Sequence, residues 1–137
     1  MNDICADKTF FQLEQVVEGV YFAQALPGTG TLGNAAIVDL GDSTLIFDTF
    51  LTPQAAQALR KAAEQLTGRP ASYVIDSHYH ADHVMGNQGF LPEAVFVSTS
   101  RTRQLIEESK FLDALDEIAG ETAQMEKDLS VMSHPQF

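Results

Sequence analysis

Three of the chain's four histidines, His78, His80 and His83, fall within six residues, and Asp82 stands among them. Imidazole is the commonest side-chain metal ligand at neutral pH, and carboxylates join it readily around zinc. In an extended segment side chains alternate, so His78, His80 and Asp82 would share one side while His83 serves another direction. That spacing suggests two adjacent ions, one held by His78 and His80, the other by Asp82 and His83. Two cations about 3.5–4 Å apart can share a hydroxide and activate it at neutral pH. The plainer reading is a polar loop whose histidines only make hydrogen bonds. It suits a single histidine better than three together at the end of an apolar run. Ligating imidazoles must be neutral, so with a free-histidine pKa of about 6.5 binding should weaken below about pH 6.

The elements that position this cluster are readable on either side of it. Thr52-Pro53 is a strong helix start, with threonine as N-cap and proline at the first helical position. Ala55, Leu59, Ala62 and Leu66 recur at helical spacing, and Gly68 provides the stop. Strands are expected at Thr44 to Asp48 before this helix and at Ser72 to Asp76 after it. Strand, helix, strand implies a parallel pair with the helix on one face, and the histidines emerge from the C-terminal end of the second strand. Open α/β sheets usually place their ligands there.

Upstream, Val16 to Phe22 reads as one short strand interrupted by Gly19, and the glycine-rich stretch from Pro27 to Asn34 as a loop. It lacks the lysine of a P-loop, and a strand rather than a helix follows it, which argues against a phosphate cradle. Ala35 to Leu40 pairs with Thr44 to Asp48 across Gly41-Asp42 in a hairpin. Ala94 to Ser98 is a further strand. These strands are continuous apolar runs rather than alternating ones, which indicates cover on both faces. From Ser100 onward the chain reads as helical, with Leu105, Leu112, Leu115 and Ala119 on one face, acidic residues on the other, and a break at Gly120.

The totals set bounds. At 137 residues, with 45% hydrophobic and 20% charged residues, the chain suits one soluble globular domain, residues 1-137. A formal net charge of -11 disfavours nucleic acid and anionic membrane surfaces as partners. No apolar run approaches the about 18 residues of a membrane span. Met1 to Asp7 carries acids where a secretory signal carries lysine or arginine, so a cytoplasmic protein is expected. Cys5 is the single cysteine and allows no internal disulfide. Ser133 to Phe137 matches the core of a streptavidin-binding affinity tag. Tag remnant and native sequence are both open there, and His134 is not counted as a ligand in either case.

Ser77-His78-Tyr79-His80-Ala81-Asp82-His83 resembles the His-x-His-x-Asp-His signature of the metallo-β-lactamase-fold hydrolases. Gly33-Asn34 before a strand, Asp39 to Asp42 at the hairpin, Phe47-Asp48 at a strand end and Gly86-Asn87-Gln88 resemble that superfamily too. The resemblance spans roughly residues 16 to 110. It implies an α/β fold, a mixed β-sheet with helices on one face, like the N-terminal half of the αββα sandwich. His78 and His80 would be ligands of a first metal, and Asp82 and His83 of a second. Asp82 would also be the catalytic group, orienting water or shuttling a proton, and Asp48 a structural support of the ligand loop. Zinc, up to two ions, is the implied cofactor, with iron or manganese as alternatives.

The resemblance then stops. A complete member's second half supplies a third histidine, a bridging aspartate and a last histidine, and after His83 this chain has only His134. The reading is a half-length zinc-dependent hydrolase of ester, thioester, lactone or amide bonds in a small-molecule substrate, with weak or no activity. The alternative is a catalytically silent metal-binding or dimerisation module. Strands apolar on both faces, with helices for only one, also predict a homodimer through the exposed sheet face.

Overall fold

The computed structural model describes residues 10–29, 31–108 and 110. Phe11 and Leu13 alternate with Gln12 and Glu14, the period of a half-buried strand, and build β1, Phe11–Val17. The chain reverses at Glu18-Gly19 into β2, Val20–Ala25, antiparallel to β1. The interrupted strand expected over Val16 to Phe22 is therefore a hairpin. Gly19 adopts a φ of 77°, which turns the backbone instead of merely weakening a strand.

β3, Ala35–Asp39, and β4, Thr44–Phe47, form the second hairpin, as expected. Asp39 Oδ1 accepts the Gly41 N–H at 2.9 Å and stabilises its turn. The helix α1, Pro53–Thr67, begins and ends on its predicted signals. Thr52 Oγ1 accepts the Ala55 N–H at 3.3 Å, and Gly68, left-handed at φ 75°, donates its N–H to Glu64 O at 2.9 Å. After α1 the chain enters β5, Tyr73–Ile75, parallel to β4, and later β6, Val95–Val97, parallel to β5. The result is a mixed six-stranded sheet in the order β1-β2-β3-β4-β5-β6. Between β5 and β6 lie a short helix α2, Ala81–Val84, and a single 3-10 turn, Asn87–Phe90. The helix α3, Ser100–Glu107, follows β6 and is capped by Thr99, whose Oγ1 accepts the Thr102 N–H at 3.1 Å.

The core lies between the sheet and α1. Ile37, Ile46 and Val74 occupy matched positions on β3, β4 and β5 and pack against Ala55, Leu59, Ala62 and Ala63. Burying each of the larger aliphatic side chains stabilises the fold by about 1.5–3 kcal/mol. A smaller cluster of Leu51, Ala81, Val84, Met85 and Ile106 joins α2 to α3. Arg60 of α1 donates to Gly89 O at 3.0 Å and pairs with Glu93 at 3.1 Å, fixing the segment after α2.

The other face of the sheet is also apolar but open. Phe47, Tyr73, Val95 and Val97 are 40%, 41%, 59% and 44% exposed. Strands read as covered on both faces are thus covered on one among the described residues. No helix among those residues is long and apolar enough to cross a membrane. Cys5, His134, the helical reading past Lys110 and the tag-like residues 133-137 lie outside the described residues.

Candidate metal centre

Because β4 and β5 run parallel, their C-terminal ends meet at one edge of the sheet. Asp48 follows β4, and Asp76, Ser77 and His78 follow β5. The Asp48 N–H donates to Ile75 O and the Asp76 N–H to Val97 O, both at 2.9 Å, so both strand exits are held. Asp48 and Phe50 have φ of 63° and 66°, a left-handed conformation uncommon outside glycine. Such strain persists where surrounding bonds over-determine the backbone. Here the bonds are visible.

Asp48 is 3% exposed and its carboxylate is fully engaged. Oδ1 accepts the Ser77 N–H at 2.8 Å. Oδ2 accepts the Ser77 hydroxyl at 2.6 Å and lies 2.6 Å from His83 Nδ1. Since the Ser77 hydroxyl donates to Asp48, its oxygen is free to accept from His78 Nδ1, 2.7 Å away. This network assigns the Nδ1 proton to both rings and leaves Nε2 of each neutral ring as the available donor atom. His83 Nε2 stands 3.3 Å from Asp82 Oδ2.

The chain leaves β5 at Ile75, bends at His78 and Tyr79, and enters α2 after His80. Ala81 and Val84, three residues apart, are both buried against Leu51, Met85 and Ile106, which makes the segment helical from Ala81. Asp82 and His83 therefore leave a helix, and strand alternation does not govern them. The His78 and His83 rings come within 4.0 Å between centroids, closer than the 4.8 Å between His78 and His80. Among the described residues, Asp48, His78 and His83 offer ligand atoms that all lie within 4.8 Å of one another. His80 is exposed and Asp82 half-buried beside them.

Charge follows this packing. Burial alone would push the His83 imidazole down, but the Asp48 and Asp82 carboxylates outweigh it and lift it to about 9. Burial lowers His78, and the neighbouring His83 and His80 lower it further. Burial opposes ionisation of Asp82, yet its hydrogen bond and charge interaction with His83 leave it below the ordinary carboxylate range. Asp76, 2% exposed, is pushed by burial up to about 7 despite a hydrogen bond from Asn87.

Sequence reasoning named His78, His80, Asp82, His83 and Asp48, but it assigned no part to Ser77, Thr49, Asp76 or Asn87. A polar residue closing the apolar run Tyr73-Val74-Ile75 was the available signal for Asp76. Gly33 also belongs here. A Cβ on it would crowd Asp82 O, Asp82 Oδ2 and His83 Nε2 at 3.0 Å, and its φ of 70° also favours glycine, which lets the β2–β3 loop approach the site. A groove of about 450 Å³, lined by Phe22, Gly33, Ala36, Phe47, Asp48 and His83, leads from the site onto the open sheet face.

The sequence matches the metallo-beta-lactamase superfamily over residues 28–123, and the chain belongs to that superfamily. Its fold is similar to three solved structures. A metallo beta lactamase from Erythrobacter litoralis, with beta mercaptoethanol in its active site, aligns with a TM-score of 0.65 at 22% identity, over 79% of this chain and 49% of that one. One from Hirschia baltica gives 0.62 at 20% identity, over 73% and 48%. FIM-1 from Pseudomonas aeruginosa, in its mono-zinc form, gives 0.63 at 15% identity, over 73% and 46%. This chain spans about half the length of each. No curated protein matches the sequence.

The donor set fits a divalent ion such as the zinc usual in this superfamily. Two imidazoles are held with Nδ1 bonded and Nε2 available, and an aspartate receives the far-side N–H of His83, the support a metal-ligating histidine ordinarily has.

Proposed function

We propose that the chain carries the histidine-rich part of a zinc-dependent hydrolase centre acting on an ester, thioester, lactone or amide bond of a small intracellular molecule. His78 and His80 would hold one ion, and Asp82 with His83 a second. When bound, zinc supplies Lewis acidity and lowers the pKa of a coordinated water to about 7. The chain's own residues do the rest. Asp48 orients His83 directly and His78 through Ser77, Asp82 receives or passes a proton beside His83, and Phe22 and Phe47 offer an apolar wall to substrate.

The observation that carries this reading is the shared carboxylate of Asp48, 2.6 Å from both Ser77 Oγ and His83 Nδ1. Zinc-dependent turnover of generic ester and thioester substrates, lost in His78→Ala and in His80→Ala, is the expected result. Metal analysis after growth with zinc, iron and manganese distinguishes the ion. Turnover that survives both substitutions would sink the reading.

A second reading rests on the ligand count. Four candidate ligands give two per ion, against the three protein ligands of a typical catalytic zinc. The 137-residue chain would then bind zinc weakly and serve as a metal-binding or dimerisation module. Tight uptake of two zinc ions per chain in equilibrium dialysis would remove this alternative.

A further inference from the structure

Asp76, Thr49 and Asn87 are buried polar residues beneath the ligand loop, at 2%, 0% and 0% exposure. They form one chain. The Thr49 hydroxyl donates to Asn87 Oδ1 at 2.8 Å, and Asn87 Nδ2 donates to Asp76 Oδ2 at 2.8 Å. Both ends of the Asn87 amide are thereby used in one orientation only. Asp76 Oδ1 is buried without a hydrogen-bond partner among the described residues. Burying a carboxyl that is only partly satisfied is unfavourable, and an apolar side chain would fill the space without that cost. Packing therefore does not explain the residue.

Its place in the chain does. Asp76 immediately precedes the segment that carries His78, His80, Asp82 and His83, and Asn87 lies just beyond it. Thr49 follows Asp48, and its N–H donates to His83 O at 2.9 Å. The contacts close a ring. Ser77 bonds to Asp48, Asp48 is joined covalently to Thr49, Thr49 bonds to Asn87, Asn87 bonds to Asp76, and Asp76 is joined covalently to Ser77. Both imidazoles that face the centre hang from this ring, His78 through Ser77 and His83 through Asp48 and Thr49.

We infer that the Asp76–Asn87–Thr49 chain is a positioning device that sets the placement of His78 relative to His83. The inference rests on the metal-centre reading for its purpose but on the ring geometry for its content. Asn87→Asp removes the amide N–H that donates to Asp76 and sets two carboxyls against each other at that point of the ring. Asp76→Asn in that background restores a donor–acceptor match in the reverse sense. Thr49→Val replaces the hydroxyl by a methyl, losing its 2.8 Å bond to Asn87 Oδ1 and its longer 3.3 Å contact with His83 O, and serves as a second, milder probe should Asn87→Asp fail to fold.

The experiment combines cobalt(II) titration followed in the visible spectrum, ring-nitrogen NMR of His78 and His83 in the metal-free protein, and thermal melting. Asn87→Asp is expected to lower cobalt affinity about 10–100-fold and to shift the ring signals, with the double variant returning to within about threefold of wild type. Thr49→Val is expected to shift the same ring signals by less. Lower melting temperatures with unchanged cobalt affinity and unchanged ring signals would overturn the inference, as would a double variant no better than Asn87→Asp. A wild-type chain that takes up no cobalt would refute the metal-centre reading instead. The ring signals would then decide the positioning role alone, unchanged signals in the variants overturning it.

Discussion

His83 Nδ1 lies 2.6 Å from Oδ2 of Asp48, a carboxylate almost wholly withdrawn from solvent. This pair decides both the charge and the orientation of the ring. Asp48→Asn removes the charge while keeping a residue that tolerates the left-handed backbone. The His83 pKa is expected to fall from about 9 towards the ordinary histidine range. Stability should drop by about 1–3 kcal/mol as bonds to the carboxylate are lost. NMR titration of the ring and urea denaturation check the two effects. A His83 pKa unchanged in the variant would refute the pairing.

Stability of the metal-free protein should fall as pH rises. In the folded chain Asp76 titrates at about 7 against a reference of 3.8, and His83 at about 9 against 6.5. Both folded values are raised, so the folded state binds more protons within those windows and loses stability across them. The Asp76 contribution fades between pH 3.8 and about 7, and that of His83, intact below 6.5, fades as pH passes through about 9. Asp82 and His78, both held low, act oppositely: Asp82 loses its contribution on acidification, and His78 costs stability as pH falls below the ordinary histidine range. Calorimetry in chelator should give a lower melting temperature at pH 9 than at pH 6. Equal or higher values at pH 9 would contradict it.

Zinc uptake has its own pH dependence. The proton on His83 Nε2 must leave before that atom can coordinate, and it leaves at about pH 9 rather than near a free histidine's value. Apparent affinity should therefore keep rising above pH 6.5, by up to about tenfold per pH unit for one displaced proton. The window expected here lies above that of free histidine because the two neighbouring carboxylates favour the imidazolium. Isothermal titration between pH 6 and pH 9 measures the slope. A plateau already reached at pH 7 would count against this assignment.

Gly86 should tolerate no side chain. A Cβ there would lie 2.0 Å from Thr49 O and 2.8 Å from Ala56 Cβ, with backbone on one side and a packed helix on the other. Gly86→Ala is expected to cost about 3 kcal/mol through overpacking. Gly41→Ala meets nothing within 4 Å and bears only its φ of 93°, so about 1–2 kcal/mol is expected. Urea denaturation of the two variants should rank them in that order.

The open sheet face should drive self-association, the route by which a second copy would cover Phe47, Tyr73, Val95 and Val97. Sedimentation velocity at micromolar concentration is expected to show a dimer. Phe47→Lys combined with Val97→Lys should shift it to monomer. A wild-type chain that sediments only as monomer would dispose of the proposal.

Local signals were legible and tertiary ones were not. Thr52, Pro53 and Gly68 act within one helical turn of themselves, so α1 could be placed at both ends from sequence. The histidines marked a candidate metal loop because imidazoles packed so densely at a strand end rarely serve hydrogen bonding alone. Alternation misled at Ala81, where burial of Ala81 and Val84 against residues as far away as Ile106 bends the chain into a helix. The Gly19 hairpin was missed because Val16-Val17 and Val20 to Phe22 are apolar on both sides of Glu18-Gly19 and so read as one strand. Asp76, Thr49 and Asn87 lie up to 38 residues apart and acquire meaning only when β4 and β5 meet.

The sheet's strands lie side by side in the order of their synthesis. Each strand as it emerges finds its neighbour already made, which keeps chain closures short for the two hairpins and limits the long searches to the crossovers that deliver β5 and β6. The loop bearing His78 and His83 sits between those last two strands. Its geometry can be set only after the α1 crossover has docked β5, so the histidines come together on a sheet whose first four strands can already have assembled without them.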